Sequence, residues 1–203
     1  MTINTKDMLN SILSSISRIE YVRPGDIPNI DLYMDQVTTF MEEQLRSTKR
    51  HEEDKILTKT MINNYAKNNL LPPPVKKKYS KEHVLVMIFI YYFKNILAIK
   101  DIETLLNPIT EEYFETGKEP NMTSIYEEIC RLEKSRIDTL QKDVARSYNS
   151  AVNSFPDVPE EDRDYLQLFS FICSLSFDVY VKKLLIEKLI DELPEPVHEK
   201  KKK

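Results

Sequence analysis

The sequence predicts an all-α protein. Apolar residues recur at three-and-four spacing over most of the chain, glycine is confined to Gly25 and Gly117, and long Leu/Ile/Lys/Glu segments are divided by proline clusters. Scarce glycine also removes the loops through which nucleotide-binding folds bring backbone up to phosphate, so nucleotide-driven chemistry loses its usual signature. At 203 residues there is room for one ordinary domain or two small ones, with a core of their own.

The elements follow in order. Met8, Leu9, Ile12, Leu13, Ile16 and Ile19 fall on one face of an N-terminal helix over 5–19, which Arg23-Pro-Gly-Asp-Ile-Pro28 ends. A second helix is expected from Leu32 to about Arg46, with Asp31 as its cap and Met34, Val37, Met41 and Leu45 inward. After a charged connector, a short helix opens at Thr58 and ends near Asn68-Asn69, because asparagine tolerates the left-handed cap and Pro72-Pro73-Pro74 cannot continue a helix. Residues 71–79 read as an extended loop or small hairpin. Ser80 caps a strongly apolar helix over 81–97, and a further short helix over 100–106 is closed by Asn107-Pro108.

Beyond it, Met122, Ile125, Ile129, Leu132, Ile137, Leu140, Val144 and Tyr148 predict one long helix over 122–152. Two readings of its apolar seam stand side by side: pairing with a second copy, or packing within its own chain. A last helix begins after Pro156-Asp-Val-Pro159, with Glu160, Glu161 and Asp162 favourably set against its dipole, and runs to about Leu193. Its stretch 165–181 is too short to span a bilayer and carries Asp178, so core or dimer interface is expected there, with Leu184, Leu185, Leu189 and Ile190 extending the buried surface.

Charge is unevenly placed. Between Lys55 and Lys81 there are seven lysines and no acidic residue, whereas the remainder must carry −11 to give the net −4. The lysines Lys55, Lys59, Lys67, Lys76, Lys77, Lys78 and Lys81 cover the short third helix and the proline-rich loop behind it. A solvated lysine face is the plain explanation for such a run. A nucleic-acid footprint is the alternative, since it needs positive charge on the element that meets the groove.

The segment Leu57-Thr-Lys-Thr-Met-Ile-Asn-Asn-Tyr-Ala-Lys-Asn-Asn-Leu-Leu-Pro72 resembles the DNA-reading half of the MerR family of winged helix-turn-helix regulators. Thr58 stands where that family caps its helix, Ile62 matches the buried aliphatic, Tyr65 one of the paired tyrosines, and Leu70-Leu71-Pro72 the exit. Lys78-Tyr79-Ser80 looks like the end of the family's wing, and Ile99-Lys-Asp-Ile102 with Leu105-Leu106 like its closing helix. The sequence departs from the pattern at Asn63, where the family carries arginine, at Asn64 in place of the first tyrosine, and at Asn69 in place of the turn glycine. Through Leu32-Tyr-Met-Asp-Gln-Val37 and Leu57 to His83 the chain more closely resembles an uncharacterised domain family of low-GC Gram-positive bacteria, which names no activity.

The resemblance implies a winged helix-turn-helix unit over 31–108; around it the chain reads as an amphipathic helix and linker (1–30), a helical dimerisation or regulatory region (109–193) and a disordered basic tail (194–203). It implies a sequence-specific transcription regulator that binds double-stranded DNA as a homodimer, through 122–152, 164–193 or both. A protein-interaction module with an acidic partner is the alternative. Thr58, Lys59, Thr60, Asn63, Asn64 and Lys67 are the expected contacts on the helix, with Lys76, Lys77 and Lys78 on the wing. Asparagine suits adenine N6 and N7 in the major groove, and lysine suits phosphate or guanine. Tyr65 and Tyr79 are either core tyrosines with a polar tip or phosphate ligands.

No catalytic Ser/His/Asp or Cys/His arrangement can be argued, so no enzyme and no cofactor are expected. Cys130 and Cys173 lack ligand spacing and read as buried thiols in a reducing, cytoplasmic setting. The N-terminus has no secretory pattern, and export is not expected.

Overall fold

The computed structural model describes residues 5–16 and 22–194. Ile19 of the first helix and residues 195–203 of the expected tail lie outside the described residues. The chain is mostly helical: α1 (Thr5–Ile16), β1 (Leu32–Tyr33), α2 (Met34–Leu45), a 3-10 turn (Arg46–Thr48), α3 (Lys59–Lys67), β2 (Lys78–Tyr79), α4 (Lys81–Phe93), α5 (Ile99–Tyr113), α6 (Met122–Lys134), α7 (Ile137–Val152) and α8 (Glu160–Asp191). It divides into two compact units, one of residues 22–129 with 186–203, the other of 1–21 with 130–185.

The 22–129 unit is built around α4. Every residue from His83 to Tyr91 is buried, so this helix is apolar all round and needs partners on every side. Val37, Met41 and Leu45 come from α2, Ile62 and Tyr65 from α3, and Ile102 and Leu106 from α5. The first turn of α6 closes the unit, with the Tyr126 ring edge-on to Phe89 at 5.4 Å and its hydroxyl donating to the Val22 carbonyl at 2.8 Å.

Three boundaries in this unit differ from expectation. Leu32 and Tyr33 form a strand antiparallel to β2, pairing Leu32 with Tyr79 and Tyr33 with Lys78, so α2 begins at Met34. Asp31 is not its cap; the Gln36 side chain accepts from the Tyr33 N–H at 2.9 Å instead. α4 stops at Phe93, with Leu97 N bonding back to the Phe93 carbonyl at 2.8 Å. α5 passes through Pro108 to Tyr113. Proline removes one ladder bond, and Pro108 sits on the exposed side, where the carbonyl left over can meet water.

The predicted helix over 122–152 is two helices, α6 and α7. Ser135 donates its hydroxyl to the Leu132 carbonyl at 2.6 Å, and Arg136 N bonds the Glu133 carbonyl three residues back at 3.0 Å, tightening the chain out of the α ladder. The seam divides with it. Met122 and Tyr126 are buried in the 22–129 unit, whereas Val144 and Tyr148 of α7 belong to the other.

The 130–185 unit has a thin core. Leu9, Ala151 and Phe171 are its buried centre, with Leu13, Val144, Tyr148 and Leu175 packed around them. Gln141 of α7 donates to the Leu13 carbonyl at 3.1 Å, and Gln167 of α8 serves the last carbonyls of the α7 end, Val152 at 2.7 Å and Ser154 at 3.1 Å. Of the two fates expected for the apolar run of α8, core or dimer interface, its own chain supplies a core for few residues: Phe171 and Ile190 are buried, but Leu184, Leu185 and Leu189 are exposed, as are most other large apolar residues of the helix. Cys173 is likewise exposed and Cys130 half-buried, so neither is the buried thiol expected. Among the described residues, no helix is long and apolar enough to cross a membrane.

Candidate nucleic-acid interface

α3 is set by local signals. The Thr58 hydroxyl accepts from Met61 N at 3.2 Å, capping the helix where its first N–H groups lack partners. At the other end Asn69 takes a left-handed backbone with φ 58°, the conformation for which the resemblance would have glycine, and Leu70 N returns to the Tyr65 carbonyl at 2.9 Å. Nine residues between these stops turn Ile62 and Tyr65 into the core and leave Lys59, Thr60, Asn63, Asn64 and Lys67 together on the outer face.

The connector before α3 is pinned. Ile56 and Leu57 are buried, and Lys94 of α4 donates its ammonium to the Ile56 carbonyl at 2.7 Å while lying 4.7 Å from the Tyr91 ring centre. Burial holds the Lys94 pKa below its ordinary value. Thr48 bonds the Tyr91 hydroxyl from the near end of the connector, and the Asp54 carboxylate accepts from the N–H groups of Arg50 and His51. Backbone bonds from His51, then Arg50, hold the Asp54 pKa below the usual carboxylate value.

Behind α3 the proline run leads into a two-residue hairpin. Val75 and Lys78 exchange both backbone hydrogen bonds, at 2.9 and 3.1 Å, and the turn between them is Lys76-Lys77. Both lysines have positive φ, 51° and 65°, the primed turn that matches strand twist and that Asn-Gly adopts at least cost. For side chains with a Cβ this backbone is strained by on the order of 1 kcal/mol or more each. Two exposed ammonium groups therefore stand at the tip of a hairpin whose left-handed backbone would suit Asn-Gly better.

His83 ties this hairpin to α4. Its Nδ1 accepts from Ser80 N at 3.0 Å, which leaves the proton on Nε2, facing the Pro73 carbonyl at 3.4 Å. Tyr79 and Phe114 pack edge-on against its ring, at 5.6 and 4.7 Å between centres. Burial is the largest influence on its pKa and lowers it, against the opposing pull of the Pro73 carbonyl and Glu115.

Of the expected site residues, the structure brings Lys59, Thr60, Asn63, Asn64 and Lys67 onto one face and exposes Lys76 and Lys77 at the turn. Thr58 is engaged as the cap, and Lys78 is half-buried with its ammonium 5.2 Å from the Tyr33 ring centre. Tyr65 and Tyr79 are core residues, 8% and 3% exposed, and burial raises both hydroxyl pKa values, so they leave the set of surface contacts. Sequence reasoning missed Asp35, which ion-pairs with Lys59 across the α2–α3 packing; both side chains remain largely exposed, so the pair is weak. It also missed Tyr33, because its link to Lys78 rests on strand pairing between distant segments. Among the described residues there is no group of three or more His, Cys, Asp or Glu that could hold a metal ion.

No curated protein and no solved structure matches the chain. A family model does, over residues 22–129, the range of the compact unit that carries α3 and the hairpin. With more than half of its length covered, the chain belongs to the family described as Domain of unknown function (DUF1836).

Proposed function

We propose that the 22–129 unit binds double-stranded DNA, with α3 in the major groove and the Lys76-Lys77 hairpin on the flanking backbone, and that the chain is a sequence-specific transcription regulator. One observation carries the reading: the exposed faces of a short capped helix and of the hairpin that follows it lie in a stretch of seven lysines without an acidic residue, inside a chain of net charge −4. Charge of that kind, confined to one helix and one loop, supplies the salt-dependent part of DNA affinity. Asn63 and Asn64 then have the donor–acceptor pair that suits adenine. The likeness of Thr58, Ile62, Tyr65 and Leu70-Leu71-Pro72 to MerR-type regulators, and the sequence α2, α3, hairpin, α4, support a winged helix-turn-helix arrangement. A two-fold pair of chains would read a palindromic site.

Selection from random duplexes tests the proposal. Enrichment of a discrete motif is expected, with Lys77→Ala weakening binding to all duplexes alike and lowering the salt slope by about 1, and Asn63→Ala relaxing preference at one base pair by about 1–3 kcal/mol. No enrichment, with salt-sensitive capture of an acidic protein by the same lysines, would replace DNA by a protein partner. The ion pair of Lys59 with Asp35 is the observation that favours that second reading, since it is a carboxylate seated on this face.

A further inference from the structure

We infer that α8 pairs with α8 of a second copy of this chain, antiparallel, about a two-fold axis between Ile172 and Cys173. One face of α8 packs on its own unit through Phe171 and Leu175. The opposite face carries Tyr165 (65% exposed), Phe169 (54%), Ile172 (52%), Phe177 (65%), Tyr180 (62%) and Leu184 (40%), spaced so that they form one stripe along the helix. At roughly 200 Å² for a fully exposed large side chain, these six present about 680 Å² per chain, most of the ~800 Å² that each partner of a stable complex buries. Isolated exposed apolar residues need no explanation, but a contiguous stripe of this size marks an interaction surface.

The occupant follows from the order of the residues. A two-fold interface must be complementary to itself. Reversed about the midpoint of Ile172 and Cys173, the stripe sets Tyr165 opposite Tyr180, Phe169 opposite Ser176, Phe177 opposite Leu168 and Asp162 opposite Lys183, so the rings meet a ring, a small side chain or a leucine and the charged ends attract. The first turn of α8 holds Glu160, Glu161, Asp162 and Asp164 against Arg163, whereas Lys182 and Lys183 stand at the far end of the stripe. In parallel alignment those acidic turns would face one another. Antiparallel pairing also opposes the two helix dipoles favourably.

The test needs protein alone, so its outcome is independent of DNA binding. Light scattering of the full chain at micromolar concentration is expected to give twice 23.9 kDa. Tyr180→Glu should raise the dimer dissociation constant about tenfold or more with helicity unchanged. Asp162→Lys should weaken the dimer about threefold, and Asp162→Lys with Lys183→Glu should restore it. A mass of 23.9 kDa for the natural chain would overturn the inference, as would an undiminished dimer of Tyr180→Glu. Tightening by Asp162→Lys would overturn the antiparallel arrangement, because only in a parallel pair does that change relieve repulsion.

Discussion

The two compact units use the same raw material, amphipathic and apolar helices, and reach opposite results. In the 22–129 unit, α4 is surrounded by α2, α3, α5 and the start of α6, and its nine central residues are all buried. In the 130–185 unit, α8 is longer but packs on α1 and α7 through a small core centred on Leu9, Ala151 and Phe171, and most of its large apolar residues stay exposed. Hydrophobic sequence therefore measures demand for partners, and the number of elements at hand decides whether the chain meets that demand itself. A unit that meets it becomes a rigid mount for charged surface; one that does not keeps apolar surface for another molecule.

The contrast can be broken at its centre. Ile88→Ala removes a fully buried side chain from a site walled on every side and should cost the 22–129 unit about 2–5 kcal/mol by urea denaturation. Phe171→Ala removes a larger side chain from the thin core, where neighbours can close in; its cost should be smaller, about 1–3 kcal/mol. Equal or reversed costs would show that α8 is as well supported as α4.

A smaller effect sharpens the link between rigidity and the candidate interface. Replacing Lys76-Lys77 by Asn-Gly relieves the strained turn and should raise stability by about 1 kcal/mol while weakening DNA affinity, a trade readable by thermal melting and gel shift on the same protein. A gain in both would mean the lysines serve no contact. The pH response of His83 comes last. Its pKa is lowered in the folded chain, so the unfolded chain takes up the proton first; its stabilisation is complete above the ordinary value of 6.5 and is lost as pH falls through that value toward the folded pKa. Urea midpoints should drop from about pH 7.5 to about pH 5.5, and His83→Leu should flatten that slope.

What sequence could reveal divides along the same line. α3 was legible almost residue by residue, because Thr58, Asn69 and the proline run act on their immediate neighbours. β1 was not, since Leu32 and Tyr33 extend only by pairing with Tyr79 and Lys78, far along the chain. The hairpin was ambiguous because its turn lacks the usual Asn-Gly. The break at Ser135-Arg136 was hidden, as both residues suit a helix and the apolar spacing runs on across it. The choice between core and dimer interface for α8 was not legible, because periodicity reports which residues share a face and nothing about what stands opposite. At the site, charge and caps placed the exposed lysines and asparagines, while the fates of Tyr65 and Tyr79 depended on packing.

The anchored stretch at Ile56 and Leu57 has a consequence for how the family's chains could diverge. An extra residue inserted near Glu52, in the exposed turn ahead of the Lys94 tether, is one the chain can loop out without moving α3. The same insertion between Thr58 and Ile62 would turn the rest of that helix by about 100°, moving Ile62 into the exposed place of Asn63 and Asn64 into the buried place of Tyr65. Length variation should therefore gather before residue 54 and be purged after it.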